Sequence, residues 1–339
     1  MVSRTSTAFQ WACQAISMVS VVCNVYLVYV YFRCPLKMIK SYKYFFLLTG
    51  IQHIMFSSCL FFLVPLIISD RFSFIFIATG PLRMQLGGQI LMVIFCQTFI
   101  TSLLLVGDSF IYRYLQLCKP SFFHKHLRPR GVSTAILLNV AVIANWCIIV
   151  FVAFWPNDDF IEELSGMVAR TTGLNSYDCA QLGFSMKNSL TPLSMTLVVE
   201  VLILMSIIAA IVVHSAININ RTLKEGAFSK NLRKLHHQMF ILLLLQSACP
   251  FAFLHSPTMV AYVLLFGGLT SSPGISYTIT ILIALYPVFG PVITVLFLKD
   301  YRTYTLSKLR FNCIRSKNAV PSIFVSEMRT NPITAQSGQ

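Results

Sequence analysis

Asp108-Ser-Phe-Ile-Tyr-Arg-Tyr-Leu-Gln-Leu-Cys-Lys-Pro120 closes the third of seven apolar runs and hands the chain to a loop with Lys and Arg but no acid. Arg113 therefore stands where an apolar helix meets a basic connection. Asp108 looks at first like its partner. Five residues turn a helix by about 500°, which leaves the two about 140° apart, so they do not meet as i,i+4 neighbours do. Ser109, four residues before Arg113, shares its face. The stretch reads as a boundary arginine plus a separate acid, roughly 7–8 Å inside the boundary at 1.5 Å per residue, whose partner must come from another span.

Working outward, the chain of 339 residues is 56% hydrophobic and only 11% charged, against about 25% in an ordinary soluble domain. So few charges cannot cover a soluble surface of this size, and lipid must solvate much of the chain. Spans of about 20 apolar residues are expected at Phe9–Phe32, Tyr44–Ile68, Gly88–Tyr112, Val132–Phe154, Leu193–Ile219, Met239–Phe266 and Ile275–Leu298. The first is too long for a signal-peptide core and reads as an uncleaved signal anchor. The expected architecture is an all-α membrane protein, a seven-transmembrane helix bundle over residues 9–298. Residues 1–8 would lie outside and 299–339 would form a cytoplasmic tail.

Charge gives the orientation. Connections one, three and five and the tail hold 21 of the 26 Lys and Arg, and the basic side is cytoplasmic. An odd number of spans then leaves the N-terminus outside. Six of the eleven acids lie in connections two and four. This alternation also disposes of nucleic acid as the partner of the +15 net charge; anionic membrane lipid fits the basic loops better. The only N-x-S/T sequon, Asn220-Arg-Thr222, falls on the inner side and should stay unglycosylated. The ten cysteines show no metal or disulfide spacing. The long fourth connection, Trp155–Pro192, carries Asp158, Asp159, Glu162, Glu163 and Asp178, and reads either as a solvated acidic lid or as a cover over a pocket. The tail begins amphipathically, with Tyr304, Leu306, Leu309 and Phe311 among Lys308, Arg310 and Arg315, as an interfacial helix would. From Ser316 it is polar.

Ionisable groups inside a span cost on the order of 2.5–3.5 kcal/mol at its centre. Glu200 and His255 fall at similar depth, and Gln97 and Thr101 share a face of span three; together they are candidate polar parts of a ligand pocket. Each also has a structural alternative: an internally bonded acid, a satisfied core histidine, or helix-to-helix hydrogen bonds. His53 is ambiguous in the same way. A metal site from His53, His255 and Glu200 is conceivable, but no spacing demands one, and nothing calls for a cofactor. Pro250 and Pro257 in span six, and Pro287 and Pro291 in span seven, remove backbone hydrogen bonds and mark kinks, either static or used to pivot between two packings. Enzyme signatures such as H-E-x-x-H, G-x-S-x-G or a phosphate-cradling glycine loop are absent.

Four stretches carry a resemblance. Lys37-Met-Ile-Lys-Ser-Tyr-Lys-Tyr44, Phe110-Ile-Tyr-Arg-Tyr-Leu-Gln-Leu-Cys-Lys-Pro120, Gln246-Ser-Ala-Cys-Pro250 and Ala284-Leu-Tyr-Pro-Val-Phe-Gly-Pro291 with Lys299-Asp-Tyr-Arg302 are similar, in this order, to motifs of the nematode serpentine chemoreceptors, particularly the Str and Srd groups of the G-protein-coupled receptor superfamily. The resemblance implies a plasma-membrane receptor of ciliated sensory neurons that binds a small molecule and signals through a heterotrimeric G-protein alpha subunit. Tyr112, Arg113, Lys119, Lys234 and Tyr301 would face that subunit. Departures stand out. Gly290 replaces the acidic or amide residue usual before the second proline. Tyr112 replaces the acid that precedes the arginine in rhodopsin-like receptors. Leu82–Gly88 lacks the cysteine of their disulfide, so Cys179 is expected to be outside it. The rival from another class is a ligand-gated channel or a small-molecule transporter, for which the spans offer few intramembrane charges.

Overall fold

The computed structural model describes residues 4–34, 43–126, 129–187, 191–226 and 229–317. Lys37, Lys40 and Arg128 of the basic connections, and the polar tail beyond Lys317, lie outside the described residues. Among those described, seven helices are long and apolar enough to cross a membrane: Thr7–Arg33, Tyr44–Leu63, Leu86–Cys118, Val132–Ala153, Pro192–Glu225, Lys230–Phe266 and Pro273–Phe297. They are called spans one to seven below. A tail helix, Lys299–Lys317, follows span seven. It is tied to span one by a hydrogen bond from the Tyr26 hydroxyl to Thr305 Oγ1 at 2.9 Å.

The helical bundle is as expected, with one addition, a small sheet. The apolar residues after Leu63 are not helix. They form β1 (Pro65–Asp70), which turns into β2 (Ser73–Ala78), and β3 (Gln181–Ser185) from the fourth connection completes a three-stranded antiparallel sheet. Span two was expected to run to Ile68 but stops at Leu63. Pro65 disfavours helix at the residue before it, and Val64 takes φ 42°. The carbonyls this exposes are met by the returning chain: Gly80 N–H donates to Leu63 O at 2.7 Å and Leu82 N–H to Phe62 O at 3.1 Å. A side chain on Gly80 would come within 2.5 Å of Phe62 O, so only glycine allows this approach.

The β1–β2 turn uses Arg71 and Phe72 at φ 42° and 70°. Positive φ at both positions is the mark of a type I′ hairpin turn, a conformation bulky residues adopt only under compulsion. The compulsion is tertiary. Gly268, in the connection between spans six and seven, has φ +63° and lies so close to the Phe72 ring that an added Cβ would sit 2.5 Å from it.

The fourth connection also holds a helix, Asp158–Thr172, here the loop helix. Asn157 caps it, accepting from Phe160 N–H at 2.9 Å, Asp158 and Asp159 sit in its first turn, and Gly173 ends it in the left-handed conformation. Two of the lid acids thus complement a helix N-terminus. Glu163 accepts from Ser185 Oγ at 3.0 Å and pairs with Lys187 at 3.4 Å, tying the loop helix to β3. Its buried face, Phe160, Leu164, Met167 and Val168, packs on one face of the sheet with Leu66, Ile68, Ile75 and Ile77. The other sheet face, Ile67, Phe74, Leu182 and Phe184, belongs to the core of the bundle.

Candidate functional site

Three stacked features share spans three, six and seven. Nearest the sheet is an apolar cavity of about 60 Å³. Ile67, Phe74, Phe76 and Leu182 of the three strands form its ceiling, and Phe95, Phe99, Trp146, Val201, Tyr262 and Ile283 contribute to its walls. Thr258, Tyr262 and Cys96 bring the polar atoms. Trp146 Nε1 donates to Cys96 O at 3.0 Å and its ring stacks on Phe99, centroids 6.4 Å apart. The wall between spans three and four is thereby fixed in one rotamer pair.

Below it lies a polar chamber of about 40 Å³ bordered by Gln52, His53, Ser102, Gln246, Tyr286 and Thr294. A single water needs about 10–15 Å³. Gln52 Nε2 donates to Thr98 O and, at 2.6 Å, to Ser102 Oγ; Gln246 Nε2 donates to Thr294 Oγ1 at 2.9 Å. His53 is 2% exposed, its ring edge-on to Tyr286 at 4.8 Å. Neither ring nitrogen has a hydrogen-bond partner among the described residues. It occupies the room left by Gly290, where an added Cβ would lie 2.7 Å from His53 Cε1. Span two thus supplies a polar ring at the place where span seven lacks a polar side chain.

At the basic end, Arg113 is 5% exposed and donates to Gln116 Oε1 at 3.0 Å. Tyr112 packs against Phe45 and Phe123 at 5.5 and 5.4 Å. Tyr301 of the tail helix is fully buried among Phe110, Leu243 and Leu298. Lys119 is the exposed C-cap of span three. Lys234 lies elsewhere, in a cleft of about 470 Å³ between spans five and six with Lys224, Lys230, Arg233 and His237. Arg233 is already committed there, donating to the end carbonyls Lys224 O at 2.6 Å and Gly226 O at 3.3 Å.

The sequence-chosen polar residues are not brought into one pocket. Gln97 Nε2 approaches Cys147 Sγ at 3.1 Å, Thr101 donates to Gln97 O at 2.7 Å, and Glu200 accepts from Asn145 Nδ2 at 2.6 Å. These are pairings along span three or between neighbouring spans. His255 stacks on Phe251, centroids 5.8 Å apart. Among the described residues no three His, Cys, Asp or Glu gather as a metal would require. Asp108 lies against the side-chain amide of Asn139 in span four, which supplies the partner expected from another span. Cys179 is free and buried; burial pushes its thiol above the ordinary value, partly offset by the Arg83 guanidinium.

The prolines act differently. Pro250 is followed by a π-helical stretch, Phe251–His255, so span six carries a wide turn where its cavity half joins its chamber half. Phe253 there stacks on Phe289 of span seven at 4.9 Å, with planes 3° apart. Pro257 lies in the first turn after that stretch. Pro291 has no N–H for Pro287 O, the carbonyl four residues back. Asn24 of span one supplies the missing donor, Nδ2 to Pro287 O at 2.8 Å. Asn24 was not singled out from the sequence; it is one of several polar residues in span one, with Gln10, Gln14, Ser17 and Ser20, and only the structure shows which of them reaches span seven.

Two curated relatives carry the description "Serpentine receptor class r-10". The protein from Caenorhabditis elegans is 23% identical over 283 residues, 78% of this chain and 80% of its own length. The one from Caenorhabditis briggsae is 23% identical over 248 residues, 69% of each. The family model described as serpentine type 7TM GPCR chemoreceptor Str matches residues 9–306. The chain belongs to the Str family of serpentine seven-transmembrane chemoreceptors, multi-pass membrane receptors rather than enzymes.

Proposed function

We propose that this receptor binds a small, mostly apolar molecule in the cavity beneath the sheet and signals to a heterotrimeric G-protein alpha subunit at its basic end. The sheet end then faces outward and the basic end faces the cytoplasm, as the distribution of Lys and Arg implies. The plasma membrane, and within it the sensory cilium, is the expected location. The observation that carries the reading is the stack itself: cavity, polar chamber and buried Arg113 follow one another along spans three, six and seven.

The cavity chemistry sets the ligand class. Aromatic and aliphatic walls with two hydroxyls and a thiol favour a compact molecule with at most one or two hydrogen-bonding atoms. Arg113 and Tyr301 are buried in this packing, so a subunit that reads them needs a second packing in which span six swings away at its basic end. The π-helical turn after Pro250 is a natural place for that pivot. A ligand biases the two packings only by its difference in affinity for them.

The test is a screen of small volatile compounds on cells co-expressing the receptor with alpha subunits, read by cyclic nucleotide or calcium. A response that disappears in Arg113→Ala with surface expression retained is the expected result. Unchanged signalling in that variant, or a ligand-evoked current that survives without G proteins, overturns the proposal.

A further inference from the structure

The cavity is closed towards the sheet end by two layers. Its ceiling is one face of the sheet, through Ile67, Phe74, Phe76 and Leu182. The opposite face is covered by Phe160, Leu164 and Val168 of the loop helix. The layers are fastened: Ser73 Oγ donates to Ser185 Oγ at 2.8 Å, Ser185 Oγ to Glu163 at 3.0 Å, and Ser271 N–H to Ser69 O at 2.8 Å. Entry from water through this end would break sheet hydrogen bonds and uncover two apolar surfaces together.

A different opening lies at the side. Between spans three and four runs a groove of about 520 Å³. Ile90, Ile94, Phe151 and Trp155 line it and are 58%, 38%, 53% and 45% exposed. The polar groups at its floor are paired with each other: Gln89 Nε2 donates to Gln181 O at 2.9 Å, and Gln181 N–H to Gln89 Oε1 at 3.1 Å. The groove is therefore lined mostly by apolar side chains, from span three, the end of span four and the fourth connection.

Groove and cavity are two sides of one thin wall. Ile94 lines the groove while Phe95 and Cys96 line the cavity. Phe151 lines the groove while Phe154, one turn on, lines the cavity. Gln181 of β3 faces the groove and Leu182 the cavity. On the cavity side of that wall the Phe154 ring stands edge-on to Phe74 at 5.7 Å.

We propose that the ligand reaches the cavity from the bilayer, through the groove between spans three and four, and not from water through the sheet. The occupant of the groove is a small uncharged molecule already dissolved in the hydrocarbon layer. This rests on the ligand-cavity reading above.

The test uses the full chain in phospholipid vesicles with a short aliphatic diazirine, photoactivated after timed exposure. Crosslinks at Phe99 and Trp146 are mapped by peptide mass spectrometry. Ile94→Trp, or Ile90→Trp should that variant not insert, plugs the groove. An oxidised Ser73→Cys/Ser185→Cys pair locks the ceiling. The expected result is slower cavity labelling in the plugged variant, on the order of tenfold, as an added barrier of about 1.4 kcal/mol gives, at an unchanged plateau. The locked ceiling should label at the wild-type rate. Labelling that is lost on locking the ceiling, or unaffected by either plug, overturns the route while leaving the cavity reading intact. No crosslink at Phe99 or Trp146 at any exposure overturns the cavity reading and the route with it.

Discussion

Gly290→Ala should destabilise the receptor, and His53→Ala should rescue it. The new methyl would lie 2.7 Å from His53 Cε1 and 3.1 Å from Nδ1, both inside normal contact. The imidazole cannot retreat freely, because Tyr286 stands edge-on to it at 4.8 Å. Overpacking of this kind costs about 1–3 kcal/mol. Replacing glycine in a helix interior returns roughly 0.5–1 kcal/mol, so the net loss is on the order of 1 kcal/mol and at most about 2.5 kcal/mol. Removing the imidazole alone leaves a void beside a glycine, and is destabilising too. With both changes the methyl enters the vacated space, and the two effects fall short of their sum by a coupling of about 1–3 kcal/mol. Thermal unfolding of the purified protein in detergent, measured for the wild type, both single variants and the pair, reads this directly. Gly290→Asn, which restores the side chain usual in the family, should likewise be tolerated only with His53→Ala. Additive midpoint shifts would show that the imidazole and span seven do not compete for the same space, and would refute the reasoning.

Other outcomes can be checked in the same preparation. Asn24→Leu leaves Pro287 O unpaired inside the bundle, for a loss of about 1–3 kcal/mol; Pro291→Ala supplies the missing N–H and should recover much of it, and failure of that rescue would contradict the role given to Asn24. Gly268→Ala must hold φ +63° and collide with the Phe72 ring; adding Phe72→Ala should relieve only part of the lost thermal stability, since backbone strain of about 1–2 kcal/mol remains. Burial raises the Cys179 thiol, so its thiolate is scarcer at pH 8 than that of an exposed cysteine. Alkylation by iodoacetamide should lag in the folded protein, accelerate as pH rises beyond the ordinary thiol range, and lose its lag on denaturation; equal folded and denatured rates would count against this.

The spans were readable because each apolar run is long enough to cross a bilayer and each connection punctuates it. The sheet was not. β1 reads Pro65-Leu-Ile-Ile-Ser-Asp70 and is buried on both faces, so it lacks the alternation that marks a strand and extends the apolar run of span two. Polar residues at mid-depth were easy to find, but their bearing around the helix was not. Glu200 turns to Asn145, while its neighbour Val201 faces the cavity. Residues such as Phe95 and Trp146 wall that cavity, and in a membrane protein nothing in their type separates them from residues that face lipid. Arg113 was identifiable from its boundary position, but its burial depends on how spans three and six pack.

The bond between Asn24 and Pro287 O joins residues 263 apart in sequence. During synthesis the first span enters the membrane with one amide proton of Asn24 held by Ser20 O of its own helix and the other without its acceptor in span seven, and the last span arrives with a carbonyl that its own helix cannot satisfy. Neither defect is repaired until the two ends of the bundle meet. A chain cut short before span seven would therefore carry in span one an amide short of one acceptor, still bonded to Ser20 O, a polar mark of incompleteness open to membrane quality control.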